Sequence, residues 1–324
     1  MLEKLEEVQD LSPENFNRKA HIQAELFDMN VEEEKYWFQR SHARWLLHGD
    51  LNTSYFHKIA NGRKRKNTLH SLDDNGTLVE GTDKLLKLAT AYYKSLFGPA
   101  PGNFFTLCPN LWSRDEVLSE EDNIDLTRPF SVEEVKTALF SMNTNRAPGP
   151  DNIPTEFYQH CWEVVQNDIM NIFHCFHNGS LDVQRLNYGV ITLLPKVAEA
   201  NKIQQFRPIC MLRCIYKIIT KTLTLRFDPY VKKLFSVQQN AFIKNRNIVD
   251  GIMSLHEVMH HAHVKKQPSV ILKLDFEKAY DKVNWDFLLE CQKVRGFNDM
   301  WCSWIRQILY NGTVSVKIND HVGS

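Results

Sequence analysis

The chain has 324 residues, enough for one large or two ordinary domains around a substantial buried core. Apolar residues make up 43%, charged residues 24% and aromatics 11%, which excludes a disordered or fibrous chain. Lys plus Arg and Asp plus Glu both total 39, so the net charge is zero, and the total alone argues against a polyanion partner.

The predicted elements run as follows. The first 48 residues read as helix, and GDLNTS (49–54) interrupts it before a short helical stretch over Tyr55–Ile59. Residues 66–81 read as a β-hairpin, because TLHSL and TLVEG flank the turn signal Asp74-Asn75-Gly76. A helix over 82–97 follows, then the linker GPAPGN (98–103). The domain boundary is placed within 98–128, giving an N-terminal extension (1–128) and a second domain (129–324). Ser131 with Glu134 forms a capping box that opens a helix to Met142. The loop NRAPGPDNIP (145–154) leads into one long helix that stops at Asn178-Gly179. YGVITLLPK (188–196) and FRPICML (206–212) read as strands, followed by a helix with apolar spacing at Ile215, Ile218, Ile219 and Leu223. Residues 247–264 are helical, and Ser269–Leu274 reads as a buried strand ending at Asp275. Helices over 284–294 and 299–309 and a last strand, TVSVKI (313–318), complete an α+β pattern. No partner strand is expected after the last one.

The start of the chain has neither the basic segment nor the apolar core of a signal peptide, and no run of about 18 apolar residues offers a membrane span. Seven cysteines without a C-x-x-C pair fit free thiols in a reducing compartment, so an intracellular protein of nucleus or cytoplasm is expected.

The zero total hides blocks of opposite sign. Residues 1–35 hold ten acids and four bases, and residues 40–66 hold seven bases against Asp50. Residues 114–137 hold eight acids and three bases, and residues 184–249 hold twelve bases against Glu199 and Asp228. Polyanion affinity follows local Lys/Arg density, so the last block is a candidate phosphate-contacting surface. The plain alternative is a basic face compensated by acids elsewhere in the fold. In YWFQRSHARW (36–45) and GRKRK (62–66), aromatics and bases suggest nucleic-acid contacts at Arg40, Arg44, Arg63, Lys64, Arg65 and Lys66. Burial of Trp37 and Trp45 on an amphipathic helix is the competing reading.

Asp275 closes an apolar run, S-V-I-L-K-L, and a carboxylate there is costly unless paired, hydrogen-bonded or bound to a hard cation, with capping of the following turn as the plain alternative. A-P-G-P-D (147–151), L-L-P-K (193–196), F-R-P-I (206–209), I-Y-K-I-I-T-K (215–221), Q-N-A-F-I-K-N-R (239–246) and L-D-F-E-K-A-Y-D (274–281) stand in an order and spacing that resembles non-LTR (LINE-type) retrotransposon reverse transcriptases. W-L-L-H-G-D-L-N-T-S-Y-F-H (45–57) and D-D-N-G-T-L-V-E (73–80) resemble the segment upstream of the polymerase in the plant branch of that family.

The resemblance implies fingers and an incomplete palm over 129–324. It implies an RNA template, a DNA primer and dNTPs as partners, Mg²⁺ as cofactor, and neither membrane nor zinc. Asp275 matches the first catalytic and metal-binding aspartate, with the main-chain carbonyl of Phe276 as a further ligand. Lys196 and Arg207 match contacts to the incoming triphosphate, and Tyr280 the ring beneath the incoming sugar. Gln239 and Arg246 match template-side contacts. Asp281 is expected to start the next helix. Asn152 and Asn245 stand where the family has glycine, and asparagine tolerates left-handed φ. The R-x-G-x-P and Tyr/Phe-x-Asp-Asp blocks would follow Ser324, so the chain as it stands is expected to lack the second metal carboxylates and not to polymerise. A non-enzymatic nucleic-acid-binding remnant is the alternative. His256-Glu257-Val258-Met259-His260 spells a zinc-peptidase motif, but the continuation lacks a third ligand, and a helix packed beside the palm is expected instead.

Overall fold

The computed structural model describes residues 12–41, 53–98, 106–108, 111–144, 146–276 and 278–323. Its contacts divide the chain into two compact units, Met1–His70 and Ser71–Ser324.

In the first unit, α1 (Pro13–Ser41) starts where the Ser12 hydroxyl accepts from the Asn15 amide at 3.4 Å and proline occupies the first helical position. Its partner α2 (Thr53–Asn67) buries Phe56 against Phe38, ring centroids 5.5 Å apart. Trp37 stacks on His57 at 3.5 Å. The expected short helix thus continues through Gly62-Arg63-Lys64-Arg65-Lys66. The helix dipole favours cations in a last turn, and Lys64, Arg65 and Lys66 stand there.

In the second unit, β1 (Ser71–Asp74) and β2 (Thr77–Glu80) form the expected hairpin. Its turn holds Asn75 at φ 53° and Gly76 at φ 92°, the paired left-handed geometry that Asn-Gly favours. α3 (Thr82–Leu96) buries Leu85, Ala89 and Tyr93 and packs along a strand of the main sheet. The hairpin and α3 therefore belong to the second unit by contact, although the sequence groups them with the N-terminal extension.

The main core gathers α4 (Glu120–Thr127), α5 (Val132–Phe140), α6 (Thr155–His160), α7 (Trp162–His177) and α8 (Val183–Leu186). The single long helix expected here is broken at Cys161, whose ψ of 17° leaves the helical range. Its end stands as expected, with Gly179 at φ 71°. The capping box at Ser131 is half made. Ser131 accepts from the Glu134 amide at 3.2 Å, but the Glu134 carboxylate is taken by Arg226.

Strands β3 (Tyr188–Pro195) and β4 (Phe206–Leu212) pair antiparallel. α9 (Cys214–Phe227), richly buried, and the short α10 (Val231–Leu234) lead to α11 (Ile248–Val264), α12 (Trp285–Val294) and α13 (Asp299–Tyr310). β5 (Thr313–Ile318) and β6 (His321–Val322) complete a sheet of order β4-β3-β5-β6, and α3 packs along β5. The last expected strand therefore has two partners, β3 in parallel and β6 antiparallel. Buried Asn187 fixes that parallel pairing. Its side-chain amide donates to the Ile308 carbonyl at 2.9 Å, and its own carbonyl accepts from the Thr313 amide at 3.0 Å.

Two expectations fail between α11 and α12. Ser269–Leu274 is no strand: residues 267–276 carry no sheet pairing, and Val270 and Leu272 are 95% and 77% exposed. Within the sheet, β3 has β4 on one side and β5 on the other, and the segment adds to neither edge strand, β4 or β6. An apolar strand needs cover on both faces and hydrogen-bond partners at its edges, and neither is present for this segment among the described residues. α11 is helical as expected, but the expected packing beside the palm is not found, since it buries none of its residues. Asp281 does not start α12; Asn284 does, accepting from the Phe287 amide at 3.0 Å.

Candidate functional site

The hairpin of β3 and β4 carries the first pair of candidate residues. Leu194 stands opposite Arg207, and the Lys196 amide donates to the Gln205 carbonyl at 2.8 Å, extending the ladder one step. Lys196 lies two residues beyond Leu194, so it and Arg207 rise from one face of the hairpin as diagonal neighbours. Both are exposed. The Lys196 ammonium donates to the Gln204 carbonyl at 3.2 Å, and no acid engages either residue among the described ones. The connecting turn is self-bonded: Gln205 Oε1 accepts from the amides of Asn201 and Lys202 at 2.8 and 3.1 Å. The β1–β2 hairpin braces it, with the Asp73 amide donating to the Asn201 carbonyl at 2.7 Å.

The loop at 146–154 closes the other end of β4. A Cβ on Gly149 would fall 2.6 Å from the Leu212 carbonyl oxygen and 2.7 Å from Arg213 Cα, so only glycine fits without moving backbone. Asn152 follows at φ 58°, the left-handed conformation expected of it. Burial pushes Tyr158 up to about 12 and raises the Cys214 thiol, so both side chains keep their protons at neutral pH.

The second group lies on the 235–281 segment. Asp275 is exposed, and among the described residues no hydrogen bond or ion pair engages it. Phe276 beside it is exposed as well. Tyr280 is 74% exposed and meets Phe242 edge to face, centroids 5.8 Å apart at 86°. This contact brings the Q-N-A-F-I-K-N-R loop beside the Asp275–Asp281 segment. Gln239 Nε2 donates to the Ala241 carbonyl at 3.3 Å. The Arg246 guanidinium donates to the carbonyls of Phe235, Ser236 and Gln239, at 3.1, 2.5 and 2.7 Å. Arg246 thus closes its own loop, in which Asn245 holds the expected left-handed φ of 62°. No contact among the described residues joins Lys196 or Arg207 to Asp275.

Two contributors escaped the sequence reading. Phe242 lies inside Q-N-A-F-I-K-N-R between the turn-forming Asn240 and Asn245, but aromatic residues default to core. Lys278 donates to the Tyr92 hydroxyl at 2.5 Å and lies 5.0 Å over the Tyr92 ring, tying the Asp275–Asp281 segment to α3. Nothing local in the sequence signals that pairing across 186 residues.

The charge blocks meet in space. Arg226, its side chain 2% exposed, forks onto Glu134 at 2.5 and 2.8 Å. It also donates to the carbonyls of Leu126, Arg128 and Pro129 and stacks 3.9 Å over Phe130. Lys233 pairs with Asp122 at 2.7 Å. Part of the basic block at 184–249 is therefore neutralised by the acidic block at 114–137, which is the compensated reading. Lys196, Arg207, Lys217, Lys221 and Lys232 have no acid partner among the described residues. In the first unit, Arg40 caps the Tyr36 ring at 4.0 Å and Arg63, Lys64, Arg65 and Lys66 are exposed along α2; Arg44 lies outside the described residues.

As for metal, Asp275 and the adjacent Phe276 carbonyl suit one hard cation as a partial donor set. Mg²⁺ accepts one carboxylate when waters and phosphate oxygens complete its shell. Among the described residues no group of three His, Cys, Asp or Glu side chains is gathered for a metal. His256 and His260 lie one turn apart on exposed α11, with no third such ligand among the described residues. No described helix is long and apolar enough to cross a membrane.

Comparison with known proteins adds the following. Residues 194–323 match the family described as reverse transcriptase (RNA-dependent DNA polymerase). The chain is similar to a transposon TX1 uncharacterized 149 kDa protein of Xenopus laevis, 27% identical over 284 residues, or 87% of this chain and 22% of that protein. It is also similar to a retrovirus-related Pol polyprotein from type-1 retrotransposable element R2 of Nasonia vitripennis. That match is 25% identical over 167 residues, 51% of this chain and 15% of that protein. The chain thus spans about a fifth of the length of the curated relatives it matches.

Proposed function

We propose that the chain carries a reverse transcriptase domain of the non-LTR retrotransposon kind and forms the nucleotide- and template-binding part of an RNA-directed DNA polymerase. The observation that carries the reading is the hairpin of β3 and β4, which lies within the family match and presents Lys196 and Arg207 together, exposed and without acid partners. An ammonium and a guanidinium on one face suit the oxygens of a triphosphate. Asp275, with the Phe276 carbonyl, provides the carboxylate side of an Mg²⁺ site, and Tyr280 lies under the incoming sugar and excludes a 2′-hydroxyl. Gln239 and Arg246 shape the template side through the loop they close. When bound, Mg²⁺ aligns the primer 3′-hydroxyl and offsets triphosphate charge.

Titration of the chain with a fluorescent dNTP and an RNA–DNA primer-template tests this reading. Wild type binds both, Lys196→Ala with Arg207→Ala loses the dNTP and keeps the duplex, and equal dNTP binding by that double variant refutes the assignment. A second reading, nucleic-acid binding without copying, is favoured by the lone Asp275 among the described residues. Primer extension separates the two: incorporation abolished by Asp275→Asn establishes polymerisation, and duplex binding without incorporation establishes the binding-only form.

A further inference from the structure

Phe242 combines two costs that an ordinary surface residue avoids. It is 89% exposed, and its φ of 64° is a left-handed conformation that bulky residues rarely adopt. Such a conformation is costly and persists only where the surroundings over-determine it. The surroundings do so here. Arg246 ties three carbonyls of the loop together, and Lys244 pairs with Asp228 at 3.6 Å. Asn240 is seated against α11 at Gly251, where a Cβ would fall 2.5 Å from its side-chain amide. On the other side, Lys278 anchors the turn that carries Tyr280 to Tyr92.

The result is two exposed rings from separate segments, held at right angles. Neither ring joins the buried core. We infer that Phe242 and Tyr280 form a nucleobase platform, on which a base stacks flat against Phe242 with its edge turned to Tyr280, and that Arg246 is the positioning residue that holds Phe242 there. A nucleobase is the fitting ligand because it offers a flat π face to one ring and a polar edge to the other. The inference rests on the proposed nucleotide- and template-binding role. The base belongs either to the template strand or to the incoming dNTP.

The test uses 2-aminopurine, whose fluorescence falls on stacking, placed in a short single-stranded RNA in one arm and as its deoxynucleoside triphosphate in the other. Wild type quenches the probe in the arm that supplies the base. Phe242→Ala and Phe242→Leu lose the quench and weaken binding about tenfold, and Phe242→Trp keeps both. Phe242→Gly relieves the left-handed strain, so it folds at least as stably as wild type while losing the quench, which separates stacking from folding. Arg246→Ala loses the quench without reducing the salt dependence of RNA binding. Unchanged quenching and affinity in Phe242→Ala overturn the platform and leave the proposed function standing. Failure of wild type to bind either probe overturns both.

Discussion

Residues 118–234 and 235–281 are neighbours in one unit and reach opposite ends of the burial scale. α9 and α11 have comparable shares of apolar residues, yet α9 buries Cys214, Ile215, Tyr216, Ile218, Ile219 and Leu223, and α11 buries nothing. The difference lies in partners. α9 has α5 alongside and Arg226 locked at its end, whereas α11 and the extended residues after it have no facing layer among the described residues. Apolar content makes a segment able to be buried, and only an opposing surface buries it. The exposed region is also where Asp275, Tyr280, Phe242, Gln239 and Arg246 collect, so the region that lacks protein contacts is the one with groups suited to ligand contacts.

That contrast can be broken most severely at Arg226. Arg226→Met leaves Glu134 and three carbonyls without their donor, and denaturant unfolding should show a loss of about 3–5 kcal/mol. The matching change in the open region, Arg246→Met, should cost no more than about 1 kcal/mol, because its carbonyl partners can turn to water. Equal losses would erase the distinction. Gly149→Ala should cost about 1–3 kcal/mol, since backbone at Leu212 and Arg213 must move to admit the methyl.

A milder effect follows from ionisation. Burial pushes Tyr158 and Tyr216 up to about 12, against 10.0 in the unfolded chain. The unfolded chain loses those protons first as pH rises, so the stability they support is intact below pH 10 and falls progressively towards pH 12. Unfolding midpoints across that range should decline, and removing the Tyr158 hydroxyl with Tyr158→Phe should flatten the decline. The smallest effect is expected at the two left-handed asparagines. Asn152→Gly and Asn245→Gly should each change stability by no more than about 0.5 kcal/mol, because asparagine already tolerates the conformation.

Those two asparagines show what was legible. Their left-handed φ, the Asn75-Gly76 turn, the Gly179 stop and the bounds of β4 and β5 all rest on local chemistry, which a single sequence carries. What was not legible depends on distant partners. The run S-V-I-L-K-L has the composition of a central strand, but it pairs with no strand of the sheet. The Ser131 capping box was read from spacing alone, and a guanidinium 92 residues away claims its glutamate. Arg226 itself was readable in principle, because it falls three residues after Leu223 and seven after Ile219, on the buried face of α9. At the candidate site, the residue types at Lys196, Arg207 and Asp275 were read from motif and spacing. The ring of Phe242 against Tyr280 was not, because it depends on two loops meeting.

Hydrogen exchange with and without an RNA–DNA primer-template and dNTP tests the contrast most directly. The free protein should show slow exchange in 214–227 and fast exchange in 248–281. On addition of the ligands, protection should rise in 194–207 and 235–281 and stay unchanged in 118–142 and 214–227. Protection that appears elsewhere, with 194–207 and 235–281 unaltered, would contradict the account.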